Sequence, residues 1–273
     1  METDLAQRVV MITGASGGIG SATARAFAGE GARLVLHAHS RLDAAVSLAG
    51  DLSTESLAIG ADLRSEDEVA NLFARAEERF GVIDVLVANA GIWPEAEADI
   101  GSMSLARWEQ VVATNQTSVF LCARGFFDHL RRHAATDPAL ILVGSTAAVF
   151  GEAGHAAYAA SKAAITFGLT RSLKNEIVHL APRGRVNAVC PGWTRTPMAA
   201  AGLADAAAVE RVLDTRPLRS IAEPADIARA IVFLASSRLA GHITGQILTV
   251  AGGMEGRRLD RDEPTAAPTG PTH

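Results

Sequence analysis

Apolar residues in this chain fall in short unbroken runs, separated by longer stretches where apolar and polar positions recur at helical spacing. Residues 8–13, 33–37, 56–61, 82–88, 140–143, 185–189 and Ile247–Val250 are such runs. Strands that are apolar throughout, rather than alternating, are buried on both faces. Between them the spacing predicts helices over 20–29, after residue 41, and over 65–80, 105–133, 156–180 and 224–234. Ser65 stands three residues before Glu68, a capping-box pattern, and 105–133 has room for one long helix or two. Strand–helix alternation of this kind predicts an α/β fold: a single doubly wound domain, a parallel sheet with helices on both faces. The domain is expected over residues 1–254, with no internal repeat. Residues 199–209 are Ala-rich and follow Pro197, which suits a lid over a site or a plain surface helix equally. Residues 255–273 turn charged and then rich in Pro, Thr and Gly, which predicts a mobile tail.

Composition narrows the partners. The 273 residues are 48% hydrophobic and carry a net charge of −5. That balance suits a large globular core and argues against a nucleic-acid or membrane-surface partner. Cys122 and Cys190 have no metal-ligand spacing, so no metal is expected. Two cysteines without a disulfide pattern fit a reducing compartment. No basic-then-apolar leader is visible and the first apolar run is far too short to span a bilayer, so a cytoplasmic location is expected.

The chain's single tyrosine, Tyr158, lies four residues before Lys162 in a stretch that reads as helix. Residues i and i+4 share a helix face. A phenol ionises near ~10, and a neighbouring cation favours the phenolate. A partly desolvated lysine with a cationic ligand would lower that value by roughly 2–3 units, making a general acid/base. The plainer alternative is a half-buried Tyr beside a snorkelling Lys.

A glycine-rich turn, TGASGGIG at 13–20, follows the first strand and opens a helix. Glycine permits a sharp turn and close approach to a ligand, and a helix N-terminus offers free N–H groups to phosphate. Gly14, Ser16, Gly18, Ile19 and Gly20 are the candidate contacts. The second strand ends in His-Ala-His39-Ser40-Arg41, with no carboxylate before Asp43. An acid there would bind a ribose 2′-hydroxyl. His39, Ser40 and Arg41 instead suit a 2′-phosphate, so NADP(H) is expected over NAD(H), with a solvated or helix-capping Arg41 as the alternative. Asp62, next to Leu63, would accept from the adenine amino group or cap the following helix. Asn89-Ala90-Gly91 ends the fourth strand, and Asn89 would fix that end or line the cofactor.

Together, and in this order, Thr13-Gly14-x-x-x-Gly18-x-Gly20, Asn89-Ala90-Gly91, Asn115, Ser145, Tyr158-x-x-x-Lys162 and Pro191-Gly192 resemble the short-chain dehydrogenase/reductase family over residues 5–254. The resemblance is nearest to 3-oxoacyl thioester reductases and broad carbonyl reductases, with a Rossmann-type domain. It implies that Tyr158 exchanges a proton with the substrate oxygen and that Ser145 hydrogen-bonds the same oxygen. Lys162 would bind the nicotinamide ribose and depress the Tyr158 pKa, and Asn115 would hold a water linking Lys162 to solvent. Pro191, Gly192, Thr194 and Thr196 would contact the nicotinamide end. Ala88 and Ala251 stand where the family often has Asn and an acid. The resemblance also implies a homo-oligomer, dimer or tetramer, through the helices that carry Asn115 and Tyr158.

Trp93, Val149, Phe150, Trp193 and Met198 follow strand ends or these motifs, where ligands bind. If they line the pocket rather than the core, it is apolar and aromatic, suited to an apolar ketone or 3-oxoacyl thioester. The leading expectation is therefore hydride transfer between NADP(H) and a carbonyl or secondary alcohol. An NAD-dependent secondary-alcohol dehydrogenase and a non-catalytic dinucleotide-sensing regulator are the alternatives.

Overall fold

A computed structural model describes residues 2–94 and 96–257. The expected tail lies outside the described residues from 258 onward. Its first residues are held: Glu255 N donates to Thr215 O at 3.1 Å.

Seven parallel strands form one sheet in the order β3-β2-β1-β4-β5-β6-β7. They are β1 (Val9–Ile12), β2 (Arg33–Ala38), β3 (Ser56–Gly60), β4 (Val85–Ala88), β5 (Ala139–Val143), β6 (Arg185–Pro191) and β7 (Ile247–Val250). Every residue of β1, β4, β5 and β6 is buried, as the unbroken apolar runs of β1, β4 and β5 require; in β6 the polar Arg185 and Asn187 are buried with bonds to backbone carbonyls. Strand order reverses between β1 and β4, which opens a crevice at the carboxyl ends of the strands.

Twelve α-helices are found among the described residues: α1 (Gly18–Gly29), α2 (Leu42–Asp51), α3 (Glu66–Phe80), α4 (Leu105–Val112), α5 (Ser118–Arg132), α6 (Thr146–Phe150), α7 (Ala156–Ala163), α8 (Thr170–Ile177), α9 (Ala200–Ala204), α10 (Ala206–Leu213), α11 (Pro224–Ala235) and α12 (Ser237–Ala240). One apolar layer packs α3, α5 and α8 on the sheet through Leu72, Phe126, Ile177 and Leu140. The other packs α1 and α11 through Phe27 and Ile231. Burying each such side chain contributes roughly 1.5–3 kcal/mol.

The 105–133 stretch divides in two, as it had room to do, and the single helix expected over 156–180 is interrupted. The 105–133 stretch is α4 and α5 joined by a π-helical turn, Ala113–Thr117. The 156–180 stretch is α7 and α8 joined by another, Ala164–Leu169. Each wide turn sits beside the site described below, a common placement for π-bulges.

The capping box is half made. Ser65 Oγ accepts from Glu68 N at 3.3 Å, but the Glu68 carboxylate accepts from Asp62 N at 2.6 Å rather than from Ser65. Glu77 ties α3 to α5: Arg132 donates to both of its oxygens (2.7 and 2.8 Å), and His129 Nδ1 lies 2.8 Å from Oε1. His129 Nε2 accepts from Ile83 N at 2.9 Å, so the neutral ring donates through Nδ1. His133 stacks on His129, completing a potential ligand group with Glu77, but Arg132 already occupies that carboxylate. Near the other end of the chain, Asp4 accepts from Ser236 Oγ at 2.9 Å, Arg238 N at 3.3 Å and Ser237 Oγ.

Candidate functional site

One cavity of about 760 Å³ opens along the carboxyl ends of the strands. Its floor at one end is the turn from β1 into α1. Gly14 has φ 66, a left-handed conformation that favours glycine. A Cβ on Gly20 would stand 2.2 Å from Gly14 O, and one on Gly18 would stand 2.6 Å from Thr196 Cγ2. These positions admit only glycine, so backbone rather than side chain faces the cavity here. Asn89 staples the turn to β4: its Nδ2 donates to Thr13 O at 2.9 Å and to Gly14 O at 3.3 Å. Thr13 Oγ1 in return accepts from Asn89 N and Ala90 N. His37, which the sequence did not mark, uses Nδ1 to accept from Gly14 N at 3.2 Å, while Nε2 lies 2.9 Å from Ala61 O. Burial lowers the His37 pKa, keeping the ring neutral for that pair of bonds.

Gly14, Ser16, Gly18, Ile19 and Gly20 all line the cavity. His39, Ser40 and Arg41 are exposed at its far end, with Arg41 at the N-cap of α2 but making no side-chain cap. Asp62 and Leu63 line the same end, joined by Arg64. Asp62 does not cap α3. Arg64 holds its carboxylate with Nε at 2.9 Å and Nη2 at 2.6 Å, and that hydrogen-bonded pairing lowers the pKa to about 2.

At the other end stand Ser145, Tyr158 and Lys162. Ser145 is the N-cap of α6, a helix too short to show in the sequence pattern, and its Oγ accepts from Ala147 N at 3.1 Å. Tyr158 comes from α7 and hydrogen-bonds Ser145. Burial raises the phenol to about 12, more than the Ser145 bond lowers it. The protein alone thus pushes Tyr158 in the direction opposite to the one expected from Lys162. Lys162 is 4% exposed, its Nζ lies 6.0 Å from the Tyr158 ring centre and it donates to Val143 O at 2.9 Å. Burial lowers its pKa to about 8.

Asn115 is buried behind Gly91 and does not line the cavity. Its Oδ1 accepts from Ile92 N at 2.7 Å and its Nδ2 donates to Ile92 O at 2.9 Å. The amide thus braces the loop after β4, and its Nδ2 also lies 3.4 Å from Ser161 Oγ. A Cβ on Gly91 would meet Asn115 Oδ1 at 3.0 Å and Lys162 Nζ at 3.4 Å, so glycine keeps these groups together. Asn89, Gly91, Pro191, Gly192, Thr194 and Thr196 complete the wall, with Thr194 Oγ1 donating to Gly192 O at 2.9 Å.

Of the expected substrate residues, Trp93, Trp193 and Met198 line the cavity. Val149 and Phe150 do not; they lie on the exposed side of α6, turned away by the helical rotation between them and Ser145. Trp193 packs under the Ala-rich segment, close enough that a Cβ on Gly202 would touch its ring at 3.0 Å. Residues 197–213 form one 3₁₀ turn, α9 and α10, and Met198, Ala199, Gly202 and Val212 from them reach the cavity. The pocket is not wholly apolar. Gln110, Thr114 and Glu152 also line it.

A profile described as "Enoyl-(Acyl carrier protein) reductase" matches residues 14–255. The chain is 39% identical to a cis-4-hydroxycyclohexanecarboxylate dehydrogenase of Sinomonas cyclohexanicum, over 91% of this chain and 96% of the relative. It is 35% identical to a 3-oxoacyl-[acyl-carrier-protein] reductase of Synechocystis, over 92% and 98%. A crystal structure from Brucella melitensis, titled a short-chain dehydrogenase/reductase of the glucose/ribitol dehydrogenase type, superposes with a TM-score of 0.83 at 34% identity, covering 93% of this chain and 98% of the other. Likeness of this extent in both sequence and fold assigns the chain to the short-chain dehydrogenase/reductase family, oxidoreductases that act on alcohol and carbonyl groups with a nicotinamide dinucleotide.

Proposed function

We propose that this protein is an NADP(H)-dependent reductase of a carbonyl compound, running in reverse as a secondary-alcohol dehydrogenase. The observation that carries this reading is the meeting of Ser145, Tyr158 and Lys162 at one end of a cavity whose other end is a glycine-only turn. That turn fits a dinucleotide: a side chain at Gly18 or Gly20 would fill the space where backbone faces the cavity. When bound, the dinucleotide supplies or accepts the hydride.

The chain's own residues do the rest. Ser145 and Tyr158 bring two hydroxyls together at the cavity wall, where they would stabilise charge that builds on a carbonyl oxygen. Burial keeps the Tyr158 phenol protonated at neutral pH, the form that delivers a proton to that oxygen. Lys162, still mostly cationic at pH 7 with a pKa of about 8, favours the phenolate that takes the alcohol's proton when the reaction runs toward the ketone. Asn115 holds the loop at Ile92 and so positions the wall opposite. Arg41, exposed at the ribose end with no acid at the close of β2, favours a 2′-phosphate.

Titration with NADPH and NADH, followed by nicotinamide fluorescence, tests the cofactor. NADPH is expected to bind at least tenfold tighter, and Arg41→Ala to erase most of that difference; tighter NADH binding would replace this reading with an NAD-dependent dehydrogenase. Tyr158→Phe is expected to cut ketone reduction by a factor on the order of 10²–10⁴ while dinucleotide still binds. Binding without turnover of any ketone or alcohol would point to a sensor instead.

The same reading has the protein act in the cytoplasm as a dimer or tetramer. Phe120 on α5 is 46% exposed and Leu248 on the edge strand β7 is 37% exposed, apolar surface that a second copy would cover. Light scattering behind size exclusion decides it, and a monomer at micromolar concentration would refute it.

A further inference from the structure

The substrate end of the cavity holds an ionisable group that hydride transfer does not require. Glu152 follows α6 directly: Ser145 caps the start of that helix, and Gly151, with φ 77, turns the chain at its end. Five helical residues at about 1.5 Å each set Glu152 roughly 8 Å from Ser145 along the helix. The Glu152 side chain is 27% exposed and lines the cavity. Trp93 Nε1 donates to Oε1 at 3.2 Å, and His155 Nδ1 lies 3.7 Å from the same oxygen. Oε2 has no hydrogen-bond partner among the described residues.

The carboxylate is braced from behind. Trp93 stacks on His155 with ring centres 4.6 Å apart, and His155 Nε2 donates to Pro94 O at 2.9 Å. The same cavity is also lined by Trp193, Met198, Val212 and Met254, with Gln110 and Thr114. The cations lining the cavity lie elsewhere. Arg41 and Arg64 are at the ribose and adenine end, and Lys162 is bonded to Val143. The carboxylate is partly exposed and lines the cavity, where a ligand donor can replace water at the open oxygen.

We propose that Glu152 is a specificity residue whose open oxygen accepts a hydrogen bond from the substrate. The substrate class is a ketone or alcohol carrying an ammonium or hydroxyl group across a ring, or some four carbons along a chain, from the reacting carbon. A carboxylate in that position is repelled. The inference rests on the reading of Ser145 and Tyr158 as the pair that holds the reacting oxygen.

Four ketones of one shape separate the possibilities: cyclohexanone, 4-hydroxycyclohexanone, 4-aminocyclohexanone and 4-oxocyclohexanecarboxylate. Each is assayed for kcat/KM at about pH 8 with saturating dinucleotide. The 4-amino compound is expected to exceed the 4-carboxylate at least thirtyfold. Glu152→Gln is expected to shrink that ratio tenfold or more. The amide still accepts from a hydroxyl, so a 4-hydroxy preference that survives in Glu152→Gln assigns the donor as hydroxyl, and one that falls with the 4-amino preference assigns it as ammonium. Inhibition of the wild type by cyclohexylamine against cyclohexanecarboxylate gives the same comparison should the variant fail to fold. Equal handling of the 4-amino and 4-carboxylate ketones, with cyclohexanone reduced, overturns the Glu152 assignment alone. No reduction of cyclohexanone, the other three ketones or a 3-oxoacyl thioester overturns the reading of the site and the assignment with it.

Discussion

Replacing Lys162 with Met should make the protein more stable at neutral pH while removing its activity. The ammonium is buried, with Val143 O at 2.9 Å as its bonded partner, and burial takes its pKa from 10.5 to about 8. Below pH 8 both the folded and unfolded chains carry the proton. The folded chain then bears the full cost of a charge in a dry site, on the order of 3 kcal/mol for a shift of that size. Between pH 8 and 10.5 the unfolded chain binds more protons than the folded one, so this contribution to stability grows as pH rises. Met fills the same space without charge. It leaves the Val143 carbonyl unpaired, which costs about 1–3 kcal/mol. The net gain at pH 7 is then on the order of 1–2 kcal/mol, or roughly 2–8 °C in Tm. From pH 7 to pH 10 that gain should fall by roughly 2.5 kcal/mol and change sign. The series stops at pH 10 because Tyr158, raised from 10.0 to about 12, makes stability decline with pH above that point. Urea melts of wild type and Lys162→Met at pH 7, 8, 9 and 10 give the difference directly. A difference that does not change with pH, or a Met variant less stable at pH 7 by more than about 1 kcal/mol, refutes the account.

Gly20→Ala would put a Cβ 2.2 Å from Gly14 O, so the turn must move; dinucleotide affinity is expected to drop at least thirtyfold by fluorescence titration, and an unchanged affinity would show that the turn is not the cradle. Burial opposes ionisation of Glu77, but its bonds to Arg132 and His129 prevail and hold its pKa at about 2, against 4.5. The resulting stability is present above pH 4.5 and lost as pH falls from 4.5 to 2. Glu77→Gln should therefore cost up to about 3 kcal/mol at pH 7 and nearly nothing at pH 2, measured by denaturant melts. Arg216 is fully buried; Nη1 donates to Ser220 O, while Nε and Nη2 have no partner among the described residues. Arg216→Met should keep or raise stability, by up to about 2 kcal/mol, and a loss larger than that would reveal a partner for the guanidinium.

Strands β1, β4 and β5 were plain in the sequence because a strand buried on both faces is apolar at every position, while β6 buries Arg185 and Asn187 among its apolar residues. Helix interruptions were not. The π-helical turn at Ala113–Thr117 lies where the Asn115 amide bonds across to Ile92, a contact 23 residues away that local spacing does not encode. Residues that act through backbone geometry, such as Gly14, Gly18 and Gly20, announced themselves, since only glycine serves there. The α6 segment was opaque: five residues are too few for a period, so Val149 and Phe150 looked like pocket residues although the helix turns them outward. Glu152 and His37 gave no signal either. Each is a lone polar residue whose partners, Trp93 and Gly14, come from distant parts of the chain. Burial of the Tyr158 phenol, which raises its pKa in the protein alone, is likewise invisible to a spacing argument that sees only the Lys162 charge.

Asp4 draws its three partners from residues 236–238, at the start of α12. On the ribosome this clasp cannot close until the last strand is about to emerge. β1, although central in the sheet, also waits for β4, made some seventy-five residues later. A chain so dependent on distant pairings gathers its loop-closure cost before most of its reward. While it waits, the apolar edge of β1 is open to neighbouring nascent chains, which makes chaperone cover during synthesis a natural requirement for a good yield.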